Sequence, residues 1–597
     1  MATTKTQVMA KAAKGGSFLI EERAPHEVFT PEDVSEEQRQ IAKTAAEFTV
    51  NEVLPAAAEI EAKNFQVTRG LLRKAGELGL MAVDVPEAYG GLEMDKVTSA
   101  IIAESISQLA SFSVAFSAHV GIGTLPIVWY GTEAQKRKYL PKLASGDWIA
   151  AYALSESSSG SDALNCRTRA VLSEDGRHYI LNGEKMWITN AGMADLFTVF
   201  CKVDGDKFTA FLIERGTPGF SVGAEEHKLG IRGSSTCPLI LSDCRVPVEN
   251  LLGEIGKGHH IAFNILNIGR FKLGAACVGG ARHGLQHAIH YAKERKAFGK
   301  SICEFGLIQE KLAECAAGIY AGESLMYRTV GMIDAALAGV DSQAPGASRE
   351  IQKRIEEYAV ECSILKVWGS EMLDMVVDHV LQIYAGYGYV EEYPAERAYR
   401  DSRINRIFEG TNEINRLIIT GWLMKRAMAG QLPLLQAIRQ IMDEVMSPSG
   451  GEEFEGPLAA ERKLLAGAKK LSLFAAGAAS QKYMQGLADQ QEVMGALADC
   501  IMQVYALESC ILRAQKLLAT QGGAVAHAIV LTTYYSVRAF EAIELSARKV
   551  IANVAEGDML RTQMAILRRL AKHDPADAIT AGRQIARHVL EAGRYVL

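Results

Sequence analysis

One acid in the second half of the chain is the strongest candidate for chemistry. Glu409 lies in the string Arg406-Ile407-Phe408-Glu409-Gly410-Thr411-Asn412-Glu413, where small and apolar residues precede a helical pattern. Burial disfavours the charged form of a carboxyl group and raises its pKa, so a buried Glu409 would act as a base near neutral pH. The structural alternative is an acid at the start of a helix Thr411–Lys425, where negative charge complements the helix dipole.

Four further strings bear polar, glycine-rich or aromatic residues in a fixed order along the middle of the chain. They are Tyr152–Asp162, Lys185–Asn190, Arg295–Gly299 and Gln382–Gly388. Together with the Glu409 string, this ordered series resembles the acyl-CoA dehydrogenases, flavoenzymes that introduce a double bond next to a thioester. The resemblance covers residues 36–427.

No amino-acid side chain accepts a hydride, so the reaction needs a cofactor. The resemblance implies that this cofactor is FAD. Without its motif, Trp187 would be interpreted as a core aromatic residue of a strand. The motif match instead assigns the following residues to FAD, with Arg295 and Phe298 contributed by a neighbouring subunit: Leu154, Ser155, Ser161, Trp187, Thr189, Arg295, Phe298, Gln382, Gly386, Thr411 and Glu413.

The same resemblance makes Glu409 the catalytic base. In some relatives the base is at the position of Gly269, but a glycine has no side chain that could accept a proton. The predicted substrate residues are Ser161, Arg270, Gly410, Gly121 and Gly123. Gly121 and Gly123 are equally well explained as turn glycines, and His119 between the same elements is predicted to be a hydrogen-bonded core histidine.

Hydrophobic periodicity divides the chain into domains. Helical spacing at Glu36–Lys63, Thr98–Phe116 and Glu133–Ala144 predicts an N-terminal helical domain at 36–146. Short β-rich runs such as Lys207–Glu214 predict a small barrel or sandwich at 147–256. Helical patterns, one of which is Ala347–Ala385, predict a four-helix bundle at 257–427. An N-terminal extension (1–35), a linker (428–457) and an additional helical domain (458–597) complete the division.

Composition narrows the function. The 597 residues, 48% of them hydrophobic, exceed one core, and a formal net charge of -6 without a long basic run argues against nucleic acid as the main partner. The ten cysteines never form a Cys-x-x-Cys pair, so neither a metal site nor a disulfide framework is predicted.

The N-terminus and the hydropathy pattern indicate a cytoplasmic bacterial protein. The first twenty residues lack the apolar core of a secretory signal, and they are predicted to be flexible. No uninterrupted apolar run is long enough to span a bilayer, which predicts a soluble or peripheral protein.

The additional helical domain narrows the resemblance to the very-long-chain members of the family, which have such an extension. Gly306 points the same way, because many relatives have Gln at this position whereas the very-long-chain members resemble this chain. Residues 458–474 combine basic residues with an apolar stripe. This pattern predicts either a helix packed on its own domain or one that lies on the inner face of the membrane.

These features predict oxidation of long or very-long-chain acyl-CoA to trans-2-enoyl-CoA in β-oxidation, by a homodimer or dimer of dimers that passes electrons to an electron-transfer flavoprotein. One alternative is a short or branched-chain acyl-CoA dehydrogenase. A second is a non-catalytic assembly factor for a respiratory complex on the same fold. A flavin monooxygenase has no need of Glu409, whereas an acyl-CoA oxidase would retain it.

Overall fold

The computed structural model describes residues 12–341, 344, 346–445, 454–520 and 525–597. Its elements follow the predicted order of a helical domain, a central β-domain, a helical bundle and a further set of helices. The predicted fold class is therefore confirmed, while the predicted domain boundaries remain predictions.

The N-terminal helical domain has more helices than its sequence pattern predicts. Glu36–Lys63 is interrupted by a π-helical turn at Thr49–Val53, and Thr98–Phe116 divides into two helices. A second π-helical turn, His119–Gly123, follows the fifth helix. The helices are α1 (Glu36–Phe48), α2 (Ala57–Glu61), α3 (Phe65–Glu77), α4 (Lys96–Ser105), α5 (Ala110–Ala118), α6 (Leu125–Tyr130) and α7 (Glu133–Ala144).

The central domain is built on one eight-stranded sheet with the order β6-β7-β3-β2-β4-β5-β8, in which β1 pairs with β4 in parallel. Strands β4 and β5 are buried along most of their length, which accounts for their nearly continuous apolar sequence. The strands are β1 (Ala150–Ala153), β2 (Arg169–Leu172), β3 (His178–Thr189), β4 (Leu196–Val203), β5 (Lys207–Glu214), β6 (Phe220–Val222), β7 (Thr236–Pro247) and β8 (Leu251–Leu252).

The bundle is organised around its longest helix, which packs extensively on the helix Ala359–Tyr384. The pattern Ala347–Ala385, expected as one helix, is two helices with a break at residues 357–358. A two-stranded hairpin of β9 (Lys296–Ala297) and β10 (Lys300–Ser301) follows the first helix. The helices are α8 (Gly258–Glu294), α9 (Gly306–Leu337), α10 (Ala347–Glu356), α11 (Ala359–Tyr384), α12 (Pro394–Ser402) and α13 (Asn412–Met428).

The additional helices begin earlier than predicted, inside the expected linker. Leu434–Glu444 is helical, because its apolar residues can pack on the next helix along the chain. Residues 446–453 of the linker lie outside the described residues. The helices are α14 (Leu434–Glu444), α15 (Ala459–Tyr483), α16 (Gln491–Thr520), α17 (Val525–Val554), α18 (Gly557–Leu570) and α19 (Ala578–Ala592).

The apolar stripe of α15 is used for packing. Leu464, Leu471 and Phe474 are buried, and α15 contacts α16 and α17. Of the two interpretations of residues 458–474, the geometry favours the helix packed on its own domain. These apolar side chains are not exposed to a membrane surface.

The described part of the segment before α1, residues 12–35, packs on the rest of the protein, so flexibility is not found at residues 12–20. Phe18 is 3% exposed, and its ring lies 4.7 Å from the ring of Tyr505 on α16. The amide of Gly16 donates to the Glu361 carboxylate on α11 at 2.7 Å. Apolar anchoring and backbone hydrogen bonds thus hold this segment between the bundle and the C-terminal helices, whereas residues 1–11 lie outside the described residues.

A chain of buried charges joins three domains. Arg282 on α8 pairs with Glu104 on α4 and with Glu323 on α9, and Arg513 on α16 reaches Glu323 at 2.9 Å. Such a network adds little net stability over apolar packing, but removing one partner leaves a buried charge at a cost of about 3–5 kcal/mol. The network therefore fixes how α16 docks on the bundle.

Three apolar stretches are long enough to cross a bilayer by length and composition, so the expectation from uninterrupted runs was wrong on this point. They are Ala110–Tyr130, Gly258–Glu294 and Gln491–Thr520. Between 72% and 78% of the most apolar window of each is buried inside the protein. Their hydropathy reflects the core of the helical domains.

Replacing Phe18 by Ala should destabilise the protein by about 3–5 kcal/mol, because a fully buried aromatic ring is lost and a cavity is left. The measurement is the midpoint of urea unfolding. Ile579→Ala, at a side chain that is 70% exposed on α19, is the control and should leave the midpoint close to that of the wild type. Equal midpoints for the two variants would show that the N-terminal segment is not anchored.

Candidate active site

Glu409 lies in a tight turn just before α13. Its φ is 58° and that of Gly410 is 81°, so two successive residues adopt the left-handed conformation. Thr411 caps the helix, its hydroxyl accepting from the amide of Ile414 at 3.3 Å. Glu409 is therefore outside the helix, which counts against its interpretation as a helix-terminal acid.

Three side chains from three helices hold this turn by its carbonyl oxygens. Arg270 Nε on α8 donates to the Glu409 carbonyl at 3.3 Å. Lys366 Nζ on α11 donates to the Gly410 carbonyl at 2.7 Å. Asn415 Nδ2 on α13 donates to both carbonyls, at 3.3 and 2.8 Å. The orientation of the Glu409 peptide is thus set by the packing of the bundle.

The carboxylate of Glu409 rests against Gly269 on α8. A Cβ atom at residue 269 would lie 2.6 Å from Glu409 Oε2, so a side chain there would force the carboxylate to move. Oε2 is buried and has no hydrogen-bond partner among the described residues. Burial raises the pKa of Glu409 to about 7, against the opposing attraction of Arg270 and Lys366. A carboxylate of this kind can accept a proton near neutral pH.

Glu409 faces a cavity of about 430 Å³ that follows one side of α8. The wall opposite comes from α5 and from α12 with the residues that follow it. At 1.5 Å per residue, the lined part of α8 is about 27 Å long. The α8 residues that line the cavity are Gly269, Lys272, Leu273, Ala276, Cys277, Gly280, His283, Gly284 and His287.

The predicted pocket turn contributes different residues from those expected. Ser117, Ala118 and Ile122 line the cavity, but Gly121 and Gly123 are not among its lining residues. A Cβ at Gly123 would lie 2.8 Å from the Cβ of Ala150, so this glycine allows close packing on β1. The geometry favours the packing interpretation of Gly123 over a substrate contact.

Four residues assigned to FAD come together at the end of β3. The amide of Met186 donates to the carbonyl of Ser155 at 2.9 Å, which joins the Leu154–Ser155 loop to the strand that carries Trp187 and Thr189. Thr189 lines the cavity with Glu409. Trp187 is 57% exposed with a φ of 58°, an unusual state for a large aromatic residue. Ser161 is exposed in the loop beyond.

The loop that carries Ser155 and Ser161 is held by a buried ion pair. Lys185 Nζ is 2.7 Å from Glu156 Oε1 and also donates to the carbonyl of Leu154 at 3.1 Å. Glu156 accepts from the amide of Thr168 at 3.1 Å as well. These bonds fix the loop.

A second group of assigned residues lies far from the first within one subunit. The Arg295 guanidinium lies 5.6 Å from the ring of Tyr387, which adjoins Gly386 at the end of α11. Phe298, with a φ of 51°, is 95% exposed, and Gln382 is also exposed. Arg295 is 26 residues beyond Gly269, or about 39 Å along the axis of α8. This separation agrees with the expectation that these residues serve a neighbouring subunit.

The remaining predictions are placed as follows. Glu413 is exposed in the first turn of α13, next to the cap residue Thr411. His119 Nδ1 accepts from the amide of Ala150 and Nε2 donates to the carbonyl of Leu143, both at 2.9 Å. Burial lowers the pKa of His119 to about 4, so it is a neutral core histidine, as predicted.

Lys366 and Asn415 were not predicted from the sequence. Lys366 is a fully buried lysine in the apolar run of α11, and a charged residue inside such a run is the signal that could have drawn attention to it. Asn415 has no comparable signal, because an asparagine in the first turn of a helix is common.

Family models match four parts of the chain. They are the acyl-CoA dehydrogenase N-terminal domain (residues 35–147), middle domain (151–244) and C-terminal domain (256–424), and a further acyl-CoA dehydrogenase C-terminal domain (467–569). The chain is 49% identical over 594 residues to a probable acyl-CoA dehydrogenase of Bacillus subtilis, covering 99% of this chain and 100% of that protein. The chain belongs to the acyl-CoA dehydrogenase family.

Other relatives and a solved structure extend this result. A crystal structure of an acyl-CoA dehydrogenase complexed with FAD from Bacillus anthracis has a TM-score of 0.97 and 49% identity, covering 98% of this chain and 100% of that one. The human very long-chain specific enzyme is 42% identical over 353 residues (58% of this chain, 51% of that protein). The rat short-chain specific enzyme is 37% identical over 408 residues (68% and 94%), so identity alone does not decide chain length.

This acyl-CoA dehydrogenase uses FAD, and its residues fit that cofactor. A buried, unpartnered carboxylate oxygen and the hydroxyl-bearing Thr189 share one cavity, and the exposed Trp187 ring is at the end of the adjoining strand. An exposed aromatic face next to this cavity suits a planar ring system. Bound FAD supplies the acceptor for the hydride.

The value of kcat/KM for an acyl-CoA substrate should rise with pH and level off above about pH 7. Only the ionised carboxylate accepts a proton, and burial raises the pKa of Glu409 to about 7. The measurement is a pH profile of kcat/KM for the FAD-loaded enzyme. A rate that is independent of pH across neutrality would contradict the assignment.

Gly269→Ala should slow flavin reduction by roughly 100-fold, because the added methyl group displaces the carboxylate by an ångström or more. Flavin absorbance of the purified variant should be normal. Gly495→Ala on α16, where a Cβ meets nothing within 4 Å, is the matched control. Wild-type rates in Gly269→Ala would mean that Glu409 is not confined as the structure indicates.

Proposed function

We propose that this enzyme oxidises long or very-long-chain acyl-CoA thioesters to the trans-2-enoyl-CoA products. The observation that carries the proposal is the length of the cavity that begins at Glu409 and continues along α8. A short acyl group would leave most of this cavity without an occupant. The short-chain and branched-chain alternatives are therefore disfavoured.

The length of the cavity matches a long alkyl chain. A zigzag chain with C–C bonds of about 1.5 Å advances roughly 1.25 Å per bond. The distance of about 27 Å along α8 thus corresponds to roughly twenty bonds. Small side chains on both walls leave room for this alkyl chain. They are Ala276, Gly280 and Gly284 on α8 and Ala110, Ser113 and Ser117 on α5.

Glu409 is the proposed base for the α-proton of the thioester. Its Oε2 atom is buried without a partner among the described residues, burial raises its pKa to about 7, and the residue lines the cavity. The clamp from Arg270, Lys366 and Asn415 occupies the carbonyl side of the turn, so the amide side is available to hold the thioester oxygen, as the family resemblance implies. Polarising that oxygen acidifies the α-carbon.

A homodimer is the proposed minimal unit. Thr189 lines the cavity with Glu409, whereas Arg295 lies about 39 Å from Gly269 along α8 and close to Tyr387. We therefore propose that one subunit contributes to two separate FAD sites. We also propose an electron-transfer flavoprotein as the electron acceptor, which rests on the family resemblance alone. The presence of Glu409 together with the residues that hold its turn favours catalysis over the role of a non-catalytic assembly factor.

The test is anaerobic bleaching of the flavin absorbance by butyryl-, octanoyl-, palmitoyl- and stearoyl-CoA. Rapid bleaching by the two long substrates, slower bleaching by the short ones and loss of bleaching in Glu409→Gln are expected. Faster reduction by butyryl-CoA than by palmitoyl-CoA would contradict the long-chain proposal. A flavin that no acyl-CoA reduces would contradict the dehydrogenase activity itself.

A further inference from the structure

The end of the channel farthest from Glu409 is polar. His283 and His287 of α8 and Arg397 of α12 line the cavity there, beyond the small residues Gly280 and Gly284. His283 and Arg397 are partly buried, and His287 is exposed, so this end opens to solvent. An alkyl chain that fills the channel thus ends among cationic and imidazole groups rather than in an apolar pocket.

These three side chains have no hydrogen-bond or ion-pair partner in the part of the chain that the structure describes. Within the described residues, no hydrogen bond or ion pair engages the side chains of His283, His287 or Arg397, whereas Arg400 on the same helix is paired with Glu396. A guanidinium that lines a cavity without a partner is a ready donor for a carboxylate, because its fork of N–H groups matches the two oxygens.

Arg397 is the permanently charged cation at this end of the channel. Arg397 lies close enough to His287 and Asp401 to lower the pKa of each. Burial raises the pKa of Asp401 to about 6, so this carboxylate is ionised at pH 7. It accepts from the amide of Ile231, and its ion pair is with Arg400 at 3.9 Å rather than with Arg397. Burial first, and then His287, lowers the pKa of His283 to about 4. An anion bound at Arg397 would favour the protonated forms of both imidazoles, which could then donate to it.

The spacing fits a specific class of substrate. His283 is 14 residues beyond Gly269, or about 21 Å along α8. At roughly 1.25 Å per C–C bond, an acyl group of about eighteen carbons that presents its α-carbon to Glu409 places its last carbon next to this group.

We infer that His283, His287 and Arg397 form a subsite for the terminal carboxylate of long-chain dicarboxylic acyl-CoA thioesters. The inference rests on the proposed function, since it adds a substrate class to the same channel. The reaction is unchanged: the α-proton goes to Glu409 and the β-hydride to the cofactor, and the distant carboxylate takes no part in bond making. Its role is to anchor the chain.

The test compares octadecanedioyl-CoA with stearoyl-CoA, which differ only at the terminal carbon. Anaerobic flavin reduction of the wild-type holoenzyme gives kcat/KM for each. Arg397→Gln should lower the ratio of the dicarboxylic to the monocarboxylic value by about tenfold, because one charged hydrogen bond is lost. His287→Leu, at an exposed position, should lower the ratio as well. Arg403→Gln, an exposed arginine outside the cavity lining, is the matched control and should keep the wild-type ratio.

Each outcome is informative. A ratio in Arg397→Gln and His287→Leu equal to that of the wild type overturns the subsite, and so does a wild-type enzyme that uses stearoyl-CoA but not octadecanedioyl-CoA. Reduction by neither long substrate would instead overturn the proposed function. Correct folding of the variants is monitored by their flavin content and by their activity with stearoyl-CoA.

Discussion

The clamp on the Glu409–Gly410 turn is the interaction on which the rest of the active site depends. A residue with a side chain at positive φ is strained by about 1–3 kcal/mol, and the turn keeps this conformation only because it is held from outside. Arg270, Lys366 and Asn415 supply that restraint from three different helices. The position of the base is thus a property of the whole bundle, and it is lost if the helices shift.

Helix α8 connects the base to the substrate channel. Gly269 leaves room for the Glu409 carboxylate, and Arg270 donates a hydrogen bond to the carbonyl of the turn. The later residues of α8 form one wall of the channel. The charged network at Arg282 and the N-terminal segment around Phe18 bind this helix and its neighbours to the C-terminal helices. The additional domain therefore stabilises the bundle from the side, and none of its described residues lines the cavity.

Sequence patterns predicted the elements whose ends are set by local residues, and they missed the features that depend on long-range packing. The strand Lys207–Glu214 and the helix Glu133–Ala144 match their predicted bounds, since turn residues and a capping threonine delimit them locally. The motif strings also identified Glu409 as a candidate. Lys366 is 44 residues from the carbonyl it binds, and the far end of the channel joins α8 to α12, so neither has a local signature. Long-range contacts of this kind appear only in the folded chain.

The central claim is that Glu409 removes the α-proton, and it is tested most directly by separating that step from hydride transfer. A long acyl-CoA analogue with sulfur in place of the β-carbon cannot lose a β-hydride, but its α-protons can exchange with solvent D2O on the FAD-loaded enzyme. Mass spectrometry should show deuterium uptake with the wild type and none above the background rate with Glu409→Gln. Uptake by Glu409→Gln at the wild-type rate would show that another group is the base.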